Sequence, residues 1–319
     1  MSDGKLAVTL LAGGVGGAKM AEGFAGLPGV DLTVIGNVGD DDQFHGLWVS
    51  PDIDTLIYTL SGRIDRDQGW GVADEGTRAL QVLAELGQDT WMTLGDRDLG
   101  LHIYRTMRRR KGHRPSDITA DIARAFGVPA RIVLSTDDKV TTRVKTEAGW
   151  QSFQEYFVRD KTHPDVLALD YLGADDASAT PEALAAIQGA DLIVIAPSNP
   201  LASIKPILSI PGIAPALAQS EAPKVAVSPL IEGAAVKGPA ARMMQSLGKR
   251  ADALGVTKIY REIAQVLLID TADRALKPEI EAEGLRAVAT DIMMPDQAAK
   301  ARLAGAVLEA AGLAVEVRA

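Results

Sequence analysis

Leu6-Ala-Val-Thr-Leu-Leu-Ala12 runs without a charge into Gly13-Gly-Val-Gly-Gly-Ala-Lys19, and Asp31-Leu-Thr-Val-Ile35 repeats the apolar pattern about 25 residues later. Short apolar runs that stop at glycines read as strands buried on both faces. Between them, Ala18 to Leu27 suits a crossover helix. The order strand, glycine turn, helix, strand is a βαβ unit, expected to be right-handed and to begin a parallel sheet.

Outward from this unit, further strands are predicted at Ala130 to Ser135, Val166 to Leu169, Asp191 to Ala196, Lys224 to Ser228, Gln265 to Asp270 and Arg286 to Ala289, most of them separated by helical patterns. That alternation predicts the α/β class: a Rossmann-like, doubly wound, mostly parallel sheet with helices on both faces. Residues 1–319 are read as one such domain. From about 55 to 127 the pattern turns helical, at Thr55 to Leu60, Glu75 to Leu86, Leu99 to Lys111 and Ser116 to Phe126, which is read as a helical insertion with Ser116 as the cap of its last helix. Val140 to Val158 is expected to be antiparallel, with Thr141 to Thr146 alternating and Glu147-Ala-Gly149 as a hairpin turn.

The chain has 319 residues, 33 Lys+Arg against 42 Asp+Glu, a formal charge of -9, and 47% apolar residues. This acidic balance argues against nucleic acid as a partner, because duplex binding needs a basic footprint. With no cysteine, disulfides, thiolate zinc sites, iron–sulfur clusters and a cysteine nucleophile are excluded. Nowhere do about 20 apolar residues follow one another, so no membrane role is expected. Met1-Ser2-Asp3-Gly4-Lys5 lacks the form of a signal peptide, and a cytoplasmic location is the expectation.

Four segments carry residues able to do chemistry. Gly13, Gly14, Gly16 and Gly17 lie where a helix N-terminus offers free N–H donors to a phosphate; the alternative is a turn whose glycines serve packing. The segment fits neither the dinucleotide nor the P-loop pattern, since Lys19 takes the last glycine position and is followed by Met20. Gly36-Asn37-Val-Gly-Asp40-Asp41-Asp42 and Ser50-Pro-Asp52-Ile-Asp54-Thr55 place carboxylates near the C-terminal edge of the sheet, where Mg²⁺ is held by one or two carboxylates together with substrate phosphates. The alternative is a solvated turn and a helix cap. Thr93-Leu-Gly-Asp96-Arg97-Asp98 puts a phosphate-clamping Arg between carboxylates, or else a capping cluster. Ala196-Pro-Ser198-Asn199-Pro200 ends an apolar strand with polar groups suited to a base or ring. His45 and His102 belong to no nucleophile constellation and are expected to be structural or peripheral, and the basic run Arg105 to Arg110 to form a solvated helix face.

Taken in order, Gly13-Gly-Val-Gly-Gly-Ala18, Gly36-Asn-Val-Gly-Asp-Asp41, Ser50-Pro-Asp-Ile-Asp-Thr-Leu-Ile-Tyr58, Gly69-Trp-Gly71, Leu94-Gly-Asp-Arg-Asp98, Ala196-Pro-Ser-Asn-Pro200 and Val227-Ser-Pro229 resemble the 2-phospho-L-lactate transferase family of coenzyme F420 biosynthesis. The resemblance implies transfer of a phosphorylated organic acid from a diphosphoguanosine conjugate to the deazaflavin Fo with release of GMP, and a homodimer. It implies that Gly13 to Gly17 approach the diphosphate, that Ser198, Asn199 and Pro200 help hold the nucleotide, and that Asp54 to Thr93, with Thr55, bound the deazaflavin site. Asn37, Asp96 and Arg97 are further substrate contacts on this reading. Mg²⁺ is expected on Asp40 with Asp52 or Asp54, and Asp54 or Asp41 is expected to orient or deprotonate the attacking hydroxyl. The alternative is a non-catalytic, nucleotide-sugar-binding regulator of the gluconeogenesis-factor type, which is similar in its glycine-rich start.

Overall fold

The computed structural model describes residues 4–314. Its centre is a seven-stranded parallel sheet made of β1 (Leu6–Ala12), β2 (Val30–Gly36), β3 (Arg131–Leu134), β4 (Leu192–Ile195), β5 (Lys224–Val227), β6 (Val266–Asp270) and β7 (Arg286–Thr290). In space the strands run β3-β2-β1-β4-β5-β6-β7, all neighbours parallel. This is the doubly wound order with one strand added, and the chain reverses direction across the sheet between β1 and β4.

The continuous apolar runs follow from burial on both faces. Along β1, Leu10 faces one core with Val34 and Val194, and Leu11 faces the other with Ile35 and Ile195. Side chains alternate across a strand, so a strand with two dry faces is apolar except where a polar side chain finds a partner, as Thr9 does by donating to the Ala186 carbonyl at 2.8 Å. Helix α1 (Gly14–Ala25) returns over the first face and buries Met20, Ala21 and Phe24. It lies so close to the C-terminal helix Gln297–Ala310 that a Cβ on Gly23 would come within 2.5 Å of the Lys300 carbonyl oxygen.

Between β2 and β3 lie α2 (Pro51–Leu60), α3 (Arg78–Glu85), α4 (Asp96–Arg110) and α5 (Pro115–Ala125). Helix α2 starts four residues before the expected Thr55, because Pro51 at its first position has its φ pre-set for a helix. Ser116 is not the cap of α5: Arg114 takes that position and Pro115 opens the helix, while Ser116 donates through both N and Oγ to Asp137 Oδ1 at 2.7 Å. A short hairpin, Asp42–Phe44 with Leu47–Val49, precedes α2; its two turn residues, His45 and Gly46, have φ of 51° and 76°.

The predicted antiparallel stretch forms strands Thr141–Thr146 and Gly149–Ser152. The strand expected at Val166 to Leu169 is found two residues later, at Ala168–Leu172, and pairs antiparallel with Thr141–Thr146 outside the parallel sheet. Its residues are half-buried and Leu172 is exposed, the profile of a strand with one wet face.

Candidate active site

The C-terminal ends of β1, β2, β4, β5 and β7 open into one cavity of about 550 Å³, inside the range of small-molecule sites. Its floor is the turn from β1 into α1. Three glycines there are required by neighbours: a Cβ on Gly13 would lie 2.3 Å from Asp52 Oδ2, one on Gly16 2.1 Å from the Pro197 carbonyl oxygen, and one on Gly17 2.9 Å from Ser198 Oγ. Packing and ligand access therefore coexist, because Gly13, Gly14 and Gly16 also line the cavity. The first turn of α1 carries no acidic residue of its own and has no side-chain cap; the Gly14 N–H meets Asp52, and the helix end brings positive potential to the cavity that Gly14, Val15 and Gly16 line.

Ser198 and Asn199, at the end of β4, are occupied mostly by the protein itself. Ser198 Oγ donates to the Gly13 carbonyl at 2.7 Å and accepts from Gly13 N–H at 3.2 Å. Asn199 Oδ1 accepts from Leu201 N–H at 3.0 Å and Ala202 N–H at 3.2 Å, capping the single π-turn Pro200–Ile204. Both residues border the cavity, and Pro200 lies buried behind them.

The acidic residues divide into two groups. Asp40 and Asp52 reach the cavity together. Asn37, fully buried, donates to Asp52 Oδ2 at 2.9 Å and to the Ala202 carbonyl at 3.2 Å, and accepts from Gly39 N–H at 2.8 Å; it positions Asp52 from behind and does not itself line the cavity. Burial, then the neighbouring charge of Asp52, holds Asp40 well above the usual carboxylate range, and its Oδ1 is buried without a hydrogen-bond partner. Burial likewise pushes Asp52 up to about 6, against hydrogen bonds from Asn37 and the Gly14 backbone. Asp41 sits outside the cavity, accepting from Trp48 Nε1 at 2.9 Å and Ser50 Oγ at 2.8 Å, and burial raises it to about 7.

Asp54 belongs to the second group. Both of its oxygens bind the buried guanidinium of Arg105, one of them at 3.1 Å. His102 lies beside it, with Nδ1 3.8 Å from Asp54 Oδ2 and Nε2 3.3 Å from Asp98 Oδ1. Tyr58 donates to the same Asp98 oxygen at 2.5 Å. Burial pushes Asp98 up, but His102 and Tyr58 outweigh it and hold the carboxyl below its ordinary value. His102 and Arg105 are therefore neither peripheral nor solvated as their surroundings in the sequence predict: both are buried, and Asp98, His102 and Arg105 repeat at i, i+4 and i+7 on one face of α4. That spacing was the available signal.

Asp96 and Arg97 are turned elsewhere. Asp96 accepts from Arg78 N–H at 3.3 Å and Ala79 N–H at 3.0 Å at the start of α3, and Arg97 donates to the Ala73 carbonyl at 2.8 Å with its side chain in solvent. Neither lines the cavity, and the capping arrangement is the one present. Thr55 and Thr93 do line it.

A hard cation fits Asp40 and Asp52. Two buried carboxylates that repel one another, one with an oxygen that has no hydrogen-bond partner, and both bordering the cavity beside a helix N-terminus, supply the oxygen ligands that Mg²⁺ takes. Asp54, Asp98 and His102 also gather their ligand atoms within 4.8 Å, but Arg105 and Tyr58 already occupy the two carboxylates. The wall is apolar, with Trp70, Met92, Phe153, Phe157 and Met293 drawn from four separate segments. Trp70, in the Gly69-Trp-Gly71 motif, and Met92 fall inside the segment from Asp54 to Thr93 expected to bound the ring site, whereas Phe153, Phe157 and Met293 carry no local motif and were not among the predicted contacts.

The chain matches the family model described as 2-phospho-L-lactate transferase CofD over residues 8–308. It is 40% identical over 319 residues to a phosphoenolpyruvate transferase of Streptomyces griseus, covering 98% of this chain and 99% of the relative. It is 39% identical over 307 residues to a 2-phospho-L-lactate transferase of Methanopyrus kandleri, covering 95% and 97%. A crystal structure of a UPF0052 family protein from Bacillus halodurans superposes with a TM-score of 0.62 at 18% identity, over 95% of this chain and 99% of that one, a likeness of fold.

Proposed function

Because the chain belongs to the 2-phospho-L-lactate transferase CofD family, we propose that it moves a phosphorylated organic acid from a diphosphoguanosine conjugate to the terminal ribityl hydroxyl of the deazaflavin Fo. The transferred group is a 2-phospholactyl, enolpyruvyl-phosphate or 3-phosphoglyceryl unit, and the products are a coenzyme F420-0 type molecule and GMP. The observation that carries this reading is the composition of one cavity: a helix N-terminus and two buried carboxylates on its floor, and a broad apolar wall above them. The floor suits a diphosphate and the wall a flat tricyclic ring.

In the reaction the ribityl oxygen forms a bond to the phosphorus that bears the organic acid, the bond from that phosphorus to the GMP oxygen breaks, and the hydroxyl proton leaves with the GMP phosphate or to solvent. Phosphoryl transfer of this kind depends on positioning and charge neutralisation. The free N–H groups of α1 hold the diphosphate, with the turn kept in shape by Ser198. Asp40 and Asp52 hold the Mg²⁺, with Asn37 fixing the Asp52 rotamer. When bound, that ion offsets negative charge on the diphosphate and the leaving GMP. Asp54, immobilised by Arg105 at the cavity wall, orients the incoming hydroxyl. Asp41, raised to about 7, stands behind Ser50 as a group able to hold a proton near neutral pH.

The test incubates the purified protein with Fo, Mg²⁺ and each of the three conjugates, following GMP release and the mass of the deazaflavin product. One conjugate is expected to give product and so to name the acid. If none reacts while a nucleotide sugar binds tightly, the transferase reading is wrong and a binding regulator replaces it.

A further inference from the structure

We infer that Lys19 and Lys237 together form a carboxylate subsite, one that recognises the acid group of the transferred unit apart from its phosphate; the inference rests on the transferase reading. Both lysines line the cavity. Lys19 stands on α1 five residues beyond Gly14, roughly 7 Å along the helix axis at 1.5 Å per residue. Helical side chains lean towards the N-terminus, so its ammonium is carried back towards the glycine turn. Lys237 comes from the far side of the chain: its Nζ donates to the Gln68 carbonyl, and a Cβ on Gly69 would meet that Nζ at 3.0 Å and Val15 Cγ1 at 3.3 Å. Three segments thus converge around Val15, the residue inside the glycine turn.

What marks the pair is missing counter-charge. Among the described residues no carboxylate oxygen lies within 4.0 Å of either ammonium, although both occur in a chain of net negative charge. The nearest acid on α1, Glu22, is already saturated by Lys300 at 2.5 Å and Arg66 at 2.9 Å. Half-burial, with repulsion from Lys300 and Lys237, lowers the Lys19 pKa, the condition of an ammonium that an anion would relieve. The same cavity is bordered by Asp40 and Asp52, so its lining carries both signs of charge: carboxylates for a cation on the diphosphate, and the ammonium groups of Lys19 and Lys237.

A donor of the proposed class needs both. Its diphosphate is matched by the helix N-terminus and the cation, and its carboxylate, on the phosphorylated carbon in the lactyl and enolpyruvyl units, is matched by the two lysines of the cavity lining. A pair of ammonium groups presents rotatable donors that tolerate differences in the carbon skeleton. The subsite therefore demands an acid without choosing among the three acids, a choice left to the apolar wall.

The experiment uses two donors, the diphosphoguanosine conjugate of lactate and that of isopropanol, which differ only in a carboxylate replaced by a methyl. Wild type is expected to favour the lactate conjugate by at least about tenfold in kcat/KM. Lys19→Met is expected to lose that preference, through a raised KM for the lactate conjugate with little change for the isopropyl one, and Lys19→Arg to restore most of it. Lys237→Met is expected to act in the same direction with a smaller loss. Equal losses on both donors, or none, would overturn the subsite. A binding arm separates this result from the transferase reading: calorimetry of 2-phospholactate and of isopropyl phosphate, each with GMP present, on wild type and Lys19→Met. Carboxylate-dependent binding lost in Lys19→Met supports the subsite even where Fo is not an acceptor; equal binding of the two phosphates to wild type rejects it.

Discussion

Ser198 Oγ closes a two-way hydrogen bond with the backbone of Gly13, donating to its carbonyl at 2.7 Å and accepting from its N–H at 3.2 Å, across 185 residues of chain. The two residues end β1 and follow β4, the adjacent strands between which the sheet order reverses. One hydroxyl therefore ties the two halves of the sheet together at the point where the cavity opens, and it sets the conformation of the turn that presents the helix N-terminus.

Ser198→Ala is expected to leave both Gly13 groups buried and unpaired. An unsatisfied buried polar group costs about 1–3 kcal/mol. Urea unfolding should show a loss of that size, and GDP affinity should fall as the turn relaxes. Unchanged stability together with unchanged nucleotide affinity would show that the bond does not hold the turn.

Much of the architecture could be read from the residues, for a physical reason. Strands with two dry faces, such as β1 and β4, must be without charge and nearly all apolar, and a glycine turn under contact from Asp52 and Pro197 must stay glycine. The hairpin before α2 escaped notice because its strands are three residues each and its turn uses His45, an unusual residue at positive φ. Arg105 escapes a reading from sequence because charge near a helix C-terminus has a sufficient explanation in the macrodipole, which hides the periodic face that carries it inward. The carboxylate positions Asp40, Asp52 and Asp54 were legible at the sheet edge, but which of them Arg105 would neutralise depends on how α4 packs against α2.

The Asp54–Arg105 pair is buried on both sides, so removing one partner strands the other charge. Asp54→Asn and Arg105→Met are each expected to cost about 3–5 kcal/mol, and the double variant to cost clearly less than their sum. Denaturant titration of all four proteins gives the coupling. Additive losses would mean that the two side chains do not depend on one another.

Asp98 supplies a pH signature. Its carboxyl is held below the ordinary value, so the folded state binds this proton less readily than the unfolded chain, and the stability it contributes is present above the unfolded value near 3.8 and lost as pH falls through the lower folded value. Asp98→Asn should be less stable than wild type at neutral pH by about 1.5–3 kcal/mol, the worth of a hydrogen bond to a charged group. That gap should close on acidification. A gap that stays constant from pH 7 to pH 3 would assign the loss to packing.

Asp40 Oδ1, like the Oδ1 of Asp41, is buried without a hydrogen-bond partner, but only Asp40 of the two borders the cavity. Where a cation is the missing partner, Asp40→Asn removes a ligand charge and also relieves the repulsion with Asp52. The two effects pull apart in different measurements. Stability without divalent ions should hold or rise, since a costly buried charge is gone. Mg²⁺-dependent turnover should fall by at least about tenfold, and the calorimetric signal for Mg²⁺ in the presence of GDP should weaken with it. Full activity with an unchanged Mg²⁺ requirement would take Asp40 out of the metal site, and a loss of stability equal to the loss of activity would make its role structural.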